Sequence, residues 1–269
     1  MSRIAVGVEY DGSAFSGWQA QQHAPSIQQS LESALGTVAG APIRVVAAGR
    51  TDAGVHARCL VAHFDTDVAR SLRGWVLGAN SHLPESIALR WASEQPAHFH
   101  ARYSALARSY RYVILNRGTR PALASRRVTF VHRPLAIEPM REAAALLIGE
   151  HDFSAFRSVA CQAVSPVRRL QSIRLERNGE FLVAEITANA FLHHMVRNLM
   201  GLLIEVGQGR EPPRRAAELL ALRDRTLAPA TAPASGLYLW RVHYPPVFEL
   251  PDDSVMMPPP AGCPADLMG

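Results

Sequence analysis

The amino-acid sequence predicts an α+β protein made of two halves, each with a mostly antiparallel sheet. Segments of alternating apolar and polar residues, typical of half-buried strands, are interleaved with segments whose apolar residues recur at helical spacing. The same order of segments occurs in the first and in the second part of the 269-residue chain. Because 48% of the residues are apolar and only 19% are charged, the chain can bury a sizeable core.

The first predicted half, residues 1–105, begins with a strand at 3–10 and a helix at 26–40. Ser26 stands before the first apolar residue of this helix, where its hydroxyl can cap the helix. A turn around Asp52 then joins two strands. The further elements predicted in this half are strands at 43–48, 59–65 and 87–96 and a helix at 71–83.

The second predicted half, residues 106–245, repeats this order. Two of its strands meet at Asn178 and Gly179, a dipeptide typical of tight hairpins. Prolines recur through residues 246–269, for which the sequence predicts an irregular tail. The predicted elements of this half are a strand at 107–115, a helix at 137–150, two strands within 167–189, a helix at 190–207 and a strand at 236–244.

The composition excludes several classes of protein. No stretch approaches the roughly 18 apolar residues of a membrane span, and the N-terminus lacks the pattern of a signal peptide, so we expect a cytoplasmic protein with no membrane partner. Three widely spaced cysteines without a C-x-x-C motif predict neither a disulfide framework nor a zinc site. All 28 basic residues are arginine, which excludes a Walker A loop and Schiff-base lysine chemistry.

The distribution of the arginines is informative. No acidic residue occurs between Glu94 and Glu138, yet this stretch contains eight arginines and three tyrosines. Guanidinium groups bind phosphate and stack on bases, so a basic stretch with aromatic residues is typical of a nucleic-acid surface; a solvated basic face is the alternative. The residues are Arg102, Arg108, Arg111, Arg117, Arg120, Arg126, Arg127 and Arg133, with Tyr103, Tyr110 and Tyr112.

The segment VAAGRTDAGVHARC, residues 46–59, places a carboxylate in a turn. Asp52 lies between Gly49 and Gly54, with Arg50 two residues before it. An aspartate in such a turn ordinarily caps backbone N–H groups. The small residues on both sides would also let a planar ligand approach the backbone, so the pattern fits either a turn-forming or a chemical role for Asp52.

Four segments resemble the tRNA pseudouridine synthase A family and occur in the family's order. The resemblance implies two RNA-recognition-like (ferredoxin-like) α/β halves that share a central, mostly antiparallel sheet, the pseudouridine synthase fold, with a basic cleft and a homodimeric state. The implied reaction converts uridine to pseudouridine at positions 38, 39 and 40 in the anticodon stem-loop of tRNA. The segments are YDGSAFSGWQAQ (10–21), AAGRTDAGVHA (47–57), RSYRY (108–112) and NAFLHHMVRNLMG (189–201).

This reaction moves uracil from its N1 to its C5 attachment on ribose without changing the redox state or the atom count. No metal and no other cofactor is therefore expected. The resemblance implies that Asp52 is the nucleophile, and three routes are open to it: attack on ribose C1′, attack on uracil C6, or assistance to loss of a ribose proton. Because the target base lies in a stack, its nucleotide must be flipped out, and Arg50 is the candidate that fills or holds its place.

The resemblance implies roles for three further residues. Tyr110 matches the family position that stacks on the target uracil and takes a proton from C5, with Tyr112 as its rival on the same strand face. Arg197 matches the basic residue that pairs with the catalytic carboxylate. Leu237 matches the apolar wall behind the uracil. Without the resemblance, the tyrosines would be read as core packing and Arg197 as a side chain that reaches solvent.

Two other functions remain open at this point. A non-catalytic RNA-binding protein would share the arginines and tyrosines but would not need Asp52. A nucleoside glycosidase would need Asp52 together with a second carboxylate, and no acid occurs in a comparable motif. The chain also departs from the family at RCLVAHF (58–64), where relatives often have Gly and Gln, so we expect local RNA contacts to differ there.

Overall fold

The structure is a computed structural model that describes residues 1–251. Most of the predicted tail, residues 252–269, lies outside the described residues; its first part contains a 3-10 turn, Pro246–Phe248. The α-helices of residues 1–251 are α1 (Ile27–Ala39), α2 (Leu72–Asn80), α3 (Ile137–Ala145), α4 (Met195–Gly207) and α5 (Arg215–Leu222). None of the described helices is long and apolar enough to cross a membrane.

The strands divide between two compact units of the chain. One unit contains residues 1–108 together with the described residues from 238 onward, and the other contains residues 109–237. The strands are β1 (Ser2–Tyr10), β2 (Val46–Ala47), β3 (His56–Thr66), β4 (Ile87–Gln95), β5 (Ala107–Asn116), β6 (Thr129–Val131), β7 (Gly149–Asp152), β8 (Val167–Asn178), β9 (Phe181–Ala188) and β10 (Leu237–His243).

The first unit has the strand–helix–strand–strand–helix–strand order of a ferredoxin-like fold. β1 pairs antiparallel with β3 and with β4, and β2 pairs antiparallel with β3. β10 joins β3 in parallel, with Tyr238 opposite His56 and Leu239 opposite Ala57. The Ser26 hydroxyl accepts the Gln29 N–H at 3.3 Å at the start of α1, as the sequence predicts.

The second unit repeats part of this order with β5, α3, β8, β9 and α4. β8 pairs antiparallel with β7 and β9, and β5 lies beside β9. Gly179 has φ +56° in the hairpin between β8 and β9, so the predicted Asn-Gly turn is confirmed. The strand pairs β1–β3, β1–β4, β2–β3, β7–β8 and β8–β9 are antiparallel, and β3–β10 and β5–β6 are parallel, which confirms the α+β class with mostly antiparallel strands.

Several predicted bounds are wrong for identifiable reasons. The helix predicted at 190–207 begins only at Met195, because His194 before it has φ +63° and interrupts the helical backbone. The helix predicted at 137–150 ends at Ala145, since Gly149 has φ +124° and starts a strand paired with β8. The strand predicted at 43–48 is reduced to β2, and the Val45 N–H instead donates to the Glu32 carboxylate at 3.0 Å. The sequence did not predict β6, β7 or α5.

Candidate active site

Asp52 lies in the turn between β2 and β3 of the first unit. The Val55 N–H donates to the Asp52 carbonyl at 3.2 Å and closes this turn. Gly54 has φ +76°, a conformation that side chains other than glycine rarely adopt. The Asp52 side chain is half-exposed. The turn-forming and chemical interpretations are thus compatible, because backbone atoms close the turn.

The segment between β1 and α1 holds the backbone on both sides of Asp52. The Trp18 N–H donates to the Thr51 carbonyl at 3.0 Å, and the Gly54 N–H donates to the Phe15 carbonyl at 3.3 Å. Gly17 permits this approach: a Cβ there would lie 2.6 Å from the Thr51 carbonyl oxygen, and its φ is +97°. A larger residue at position 17 would displace the backbone next to Asp52.

Thr51 anchors the same turn in the core. Its hydroxyl shares a hydrogen bond of 2.7 Å with the Tyr10 hydroxyl, and both residues are buried. The Tyr10 ring lies 6.3 Å from that of Trp18, which is also buried. The residue directly before Asp52 is therefore fixed by its side chain and its carbonyl, which limits where the carboxylate can move.

Two arginines flank this turn in sequence and have different surroundings. Arg50 is exposed. The guanidinium of Arg58 lies over the Trp240 ring, 4.6 Å from its centroid, a cation–π contact. Arg58 belongs to the segment where the sequence departs from the family, and sequence reasoning did not identify Trp240 as its contact.

In the second unit, β5 presents Tyr110 and Tyr112 in different environments. The Tyr110 ring is half-exposed and packs edge-on against Phe191, with centroids 5.0 Å apart. Tyr112 is buried; its hydroxyl donates to the Pro233 carbonyl at 2.8 Å and shares a 2.6 Å hydrogen bond with Thr129. Burial raises the pKa of the Tyr112 hydroxyl, against smaller lowering effects of Thr129 and the Arg197 charge. Tyr112 thus serves as a core residue of this unit.

Arg197 lies on α4 and is fixed to the loop before β10. Its Nε donates to the Ala232 carbonyl at 2.8 Å, and the Ala232 N–H donates to the Arg197 carbonyl at 3.1 Å. The next residue, Asn198, is buried and donates to the Phe156 carbonyl at 2.7 Å. Its Oδ1 accepts the Thr231 hydroxyl at 2.6 Å and Arg225 Nη2 at 3.1 Å.

Leu237 follows this loop directly and is buried at the first position of β10. The preceding Gly236 lies against the strands, because a Cβ there would be 2.6 Å from Thr129 Oγ1 and 2.7 Å from the Val113 carbonyl oxygen. The loop that fixes Arg197 therefore leads into a closely packed turn before Leu237. No periodicity of the sequence pointed to Phe191, Asn198 or Arg225 as supports of these residues.

The arginine-rich stretch contains both engaged and exposed members. Arg108 donates to the carbonyls of Ala48 and Arg102 at 2.9 and 2.8 Å, so its guanidinium joins two segments of the first unit. Arg111 pairs with Glu185 at 2.7 Å, and Arg117 contacts Glu180 at 3.1 Å. The exposed members are Arg102, Arg120, Arg126, Arg127 and Arg133.

Each unit thus contains its own share of the predicted residues. Arg50 and Asp52 lie in one turn of the first unit, whereas Tyr110, Arg197 and Leu237 belong to the second. Within the second unit, the Tyr112 hydroxyl contacts Pro233 of the loop that also bonds Arg197. Strand β5, which carries Tyr110 and Tyr112, is therefore linked to the loop that fixes Arg197.

Comparisons with known proteins show which family the chain is similar to. A family model described as tRNA pseudouridine synthase matches residues 6–104 and 143–245. The chain is 54% identical over 249 residues to tRNA pseudouridine synthase A of Nitrosococcus oceani, covering 93% of this chain and 96% of that protein. Identity to the protein of the same name from Cronobacter sakazakii is 56%, with 93% and 92% covered, and to that from Pseudomonas aeruginosa 53%, with 94% and 89% covered.

Proposed function

Because the chain belongs to the tRNA pseudouridine synthase family, whose members isomerise uridine in tRNA, we propose that it acts at positions 38, 39 and 40 of the anticodon stem-loop. The observation that carries the proposal is the Asp52 turn. The backbone that carries this half-exposed carboxylate is held by hydrogen bonds from the Trp18 N–H to the Thr51 carbonyl and from the Val55 N–H to the Asp52 carbonyl, in the segment that matches the family. We further propose that the protein acts in the cytoplasm as a homodimer, without a metal or other cofactor.

The reaction breaks the bond between uracil N1 and ribose C1′ and forms a bond between uracil C5 and C1′. A proton leaves C5 and N1 gains one, so atoms balance without a second substrate. Asp52 is the nucleophile that holds the intermediate, by attack on C1′ or on C6, or it assists loss of a ribose proton. Fixing its backbone before substrate binds lowers the cost of aligning the carboxylate.

Residues of the second unit receive the uracil. Tyr110 has a half-exposed ring, as stacking on a base requires, and a hydroxyl that can take the C5 proton. Leu237 supplies an apolar wall behind the base. Arg197 pairs with the catalytic carboxylate, and the Ala232 carbonyl fixes the direction of its guanidinium.

Arg50 acts on the RNA rather than on the reacting base. Its side chain is exposed in the Asp52 turn, where it can fill or hold the place of the flipped nucleotide. The exposed arginines of the 102–133 stretch contribute phosphate contacts, which make affinity for tRNA fall with salt.

One experiment separates this function from its two rivals. The protein is incubated with unmodified tRNA that carries tritium at uracil C5. Tritium released from an intact RNA chain is the expected result, since the hydrogen of C5 leaves when the bond between C5 and C1′ forms. Free uracil would instead indicate a glycosidase, and bound but unchanged tRNA would indicate a non-catalytic RNA-binding protein.

A further inference from the structure

The first unit exposes an aromatic ring that the proposed reaction does not use. Tyr103 follows β4 in the segment before β5, and 76% of the residue is exposed. One face of its ring lies on the His100 ring, with centroids 4.3 Å apart and planes inclined by 31°. The ring is therefore supported from the protein side while its surface remains accessible.

Several hydrogen bonds hold the backbone under Tyr103. Nδ1 of His100 accepts the N–H groups of Arg102 at 3.1 Å and of Tyr103 at 3.2 Å, which fixes the backbone on which the tyrosine is mounted. The Ser104 hydroxyl accepts the His100 N–H at 3.0 Å, and the Ser104 N–H donates to the His100 carbonyl at 2.9 Å. Burial lowers the pKa of His100, which keeps Nδ1 available as an acceptor at neutral pH.

The same segment is connected to the Asp52 turn within the first unit. Arg108 Nη2 donates both to the Arg102 carbonyl and to the carbonyl of Ala48, four residues before Asp52. The guanidinium carbon of Arg102 lies 5.6 Å from the Tyr103 ring centroid. A guanidinium thus lies over an aromatic ring on a segment fixed to the turn that carries the candidate nucleophile.

We propose that Tyr103 and Arg102 form a nucleotide-binding platform for an unpaired residue of tRNA. The base stacks on the exposed part of the Tyr103 ring, and Arg102, whose guanidinium lies over that ring, contacts the adjoining phosphate. Stacking on an aromatic ring beside a guanidinium is a common way to bind single-stranded RNA. An RNA occupant fits better than an acidic peptide, because the flat ring supported by His100 offers a stacking surface for a base. Residues 95–137 also contain no acidic side chain that would repel a phosphate. This inference rests on tRNA being the substrate.

The test measures tRNA affinity of Tyr103→Ala, Tyr103→Phe and Arg102→Ala at several salt concentrations. Tyr103→Ala removes the ring on which one base stacks, so we expect it to bind tRNA about tenfold more weakly than the wild type. Tyr103→Phe keeps the ring, so we expect it to bind as the wild type does. Removing the ring leaves the salt dependence unchanged, but Arg102→Ala reduces its slope by about one. Leu106→Ala is the matched control, because Leu106 is 59% exposed in the same segment and has no ring.

Equal affinity of Tyr103→Ala and the wild type would overturn the platform, as would a defect in Tyr103→Phe or Leu106→Ala as large as that in Tyr103→Ala. Tritium release by the wild-type protein is measured in parallel. Wild-type binding without tritium release would refute the proposed reaction and leave the affinity comparison valid, so the two failures are distinguishable.

Discussion

The Asp52 turn in the first unit is held mainly through backbone atoms, whereas the part of α4 that carries Arg197 in the second unit is held mainly through the side chain of the neighbouring Asn198. The Asp52 turn depends on hydrogen bonds from Trp18 and Gly54 and on the absence of a side chain at Gly17. The Arg197 region depends on Asn198, which bonds the side chains of Thr231 and Arg225 and a backbone carbonyl.

This difference indicates where each unit tolerates substitution. A turn held by its backbone keeps its shape when the carboxylate is changed, so a variant at Asp52 reports on chemistry. A helix fixed by buried side chains loses stability when one partner is removed, because the others remain unsatisfied. Five expected results, from the largest effect to the smallest, test this distinction.

Asp52→Asn removes the nucleophilic charge and keeps the size of the side chain. We expect turnover to fall by at least about 10⁴-fold, while tRNA affinity and melting temperature remain close to those of the wild type. Tritium release, tRNA binding and thermal unfolding measure the three quantities. Asp67→Asn is the control, because this carboxylate is exposed on the same unit. A large loss of stability in Asp52→Asn would contradict a turn held by its backbone.

Tyr110→Phe keeps the ring packed on Phe191 and removes the hydroxyl. If the hydroxyl takes the C5 proton, turnover falls by about 10² to 10⁴-fold with little change in tRNA affinity. Tyr112→Phe instead loses the bonds to Thr129 and Pro233, which costs about 1 to 2 kcal/mol of unfolding free energy. Normal turnover of Tyr110→Phe would limit Tyr110 to stacking. A greater loss of turnover in Tyr112→Phe than in Tyr110→Phe would show that Tyr112 is the catalytic tyrosine and Tyr110 the packing one.

Asn198→Ala removes three hydrogen bonds of a buried side chain. We expect the free energy of unfolding to fall by about 2 to 3 kcal/mol, because the partners of Asn198 are left without it. Denaturant unfolding provides the measurement. Asn198→Asp keeps an acceptor for Thr231 and Arg225 and serves as the comparison. A cost below about 0.5 kcal/mol for the Ala variant would show that side chains do not fix this region.

Gly17→Ala places a methyl group 2.6 Å from the Thr51 carbonyl, at a residue with φ +97°. Gly40→Ala has a similar conformational penalty, with φ +67°, but no atom lies within 4 Å of the new Cβ. We expect the Gly40 variant to cost about 1 kcal/mol and the Gly17 variant about 1 to 2 kcal/mol more, together with reduced turnover. If the two variants had equal stability and turnover, the close approach of residue 17 to the Thr51 carbonyl would not determine the shape of the Asp52 turn.

The smallest expected effect is a pH dependence that originates in the first unit. Burial and the Arg3 charge lower the pKa of the buried His63 to about 4, with a smaller effect of His100 and an opposing one of Asp65. The pKa of His63 is near 6.5 in the unfolded chain and about 4 in the folded chain. At pH values between these two, the unfolded chain therefore binds a proton that the folded chain does not, so the free energy of unfolding decreases as pH falls. Denaturant unfolding at about pH 7 and about pH 5 should show a weaker pH dependence in His63→Gln. The exposed His82→Gln should behave as the wild type; an equal change there would contradict the assignment.

The long elements of the fold could be predicted because their cause is local. The apolar face of α1 and its Ser26 cap are visible in the sequence, and so is the Asn178–Gly179 turn. β6 and β7 have only three and four residues, too few to show a period, and they form through pairing with β5 and β8. The start of α4 was predicted too early because the conformation of His194 is not encoded in apolar spacing.

The candidate site could be predicted only in part. The segments around Asp52, Tyr110 and Arg197 have unusual residues in fixed order, so the resemblance identified them. Their supports lie far away in sequence: Thr51 bonds Tyr10, and Asn198 bonds Phe156 and Thr231. Such contacts follow from the tertiary arrangement within each unit, so the spacing of apolar residues in the sequence cannot predict them.

The last strand of residues 1–251, β10, adds to the sheet of the first unit. β10 pairs in parallel with β3 directly after the Asp52 turn, and the Tyr238 ring stacks on that of His56 at 4.6 Å. During synthesis on a ribosome, residues 1–108 emerge long before position 238 exists. For that interval the beginning of β3, which β2 does not cover, presents an open edge that a foreign strand can join. A nascent chain released before β10 would contain the whole Asp52 motif, yet lack the strand that pairs beside it.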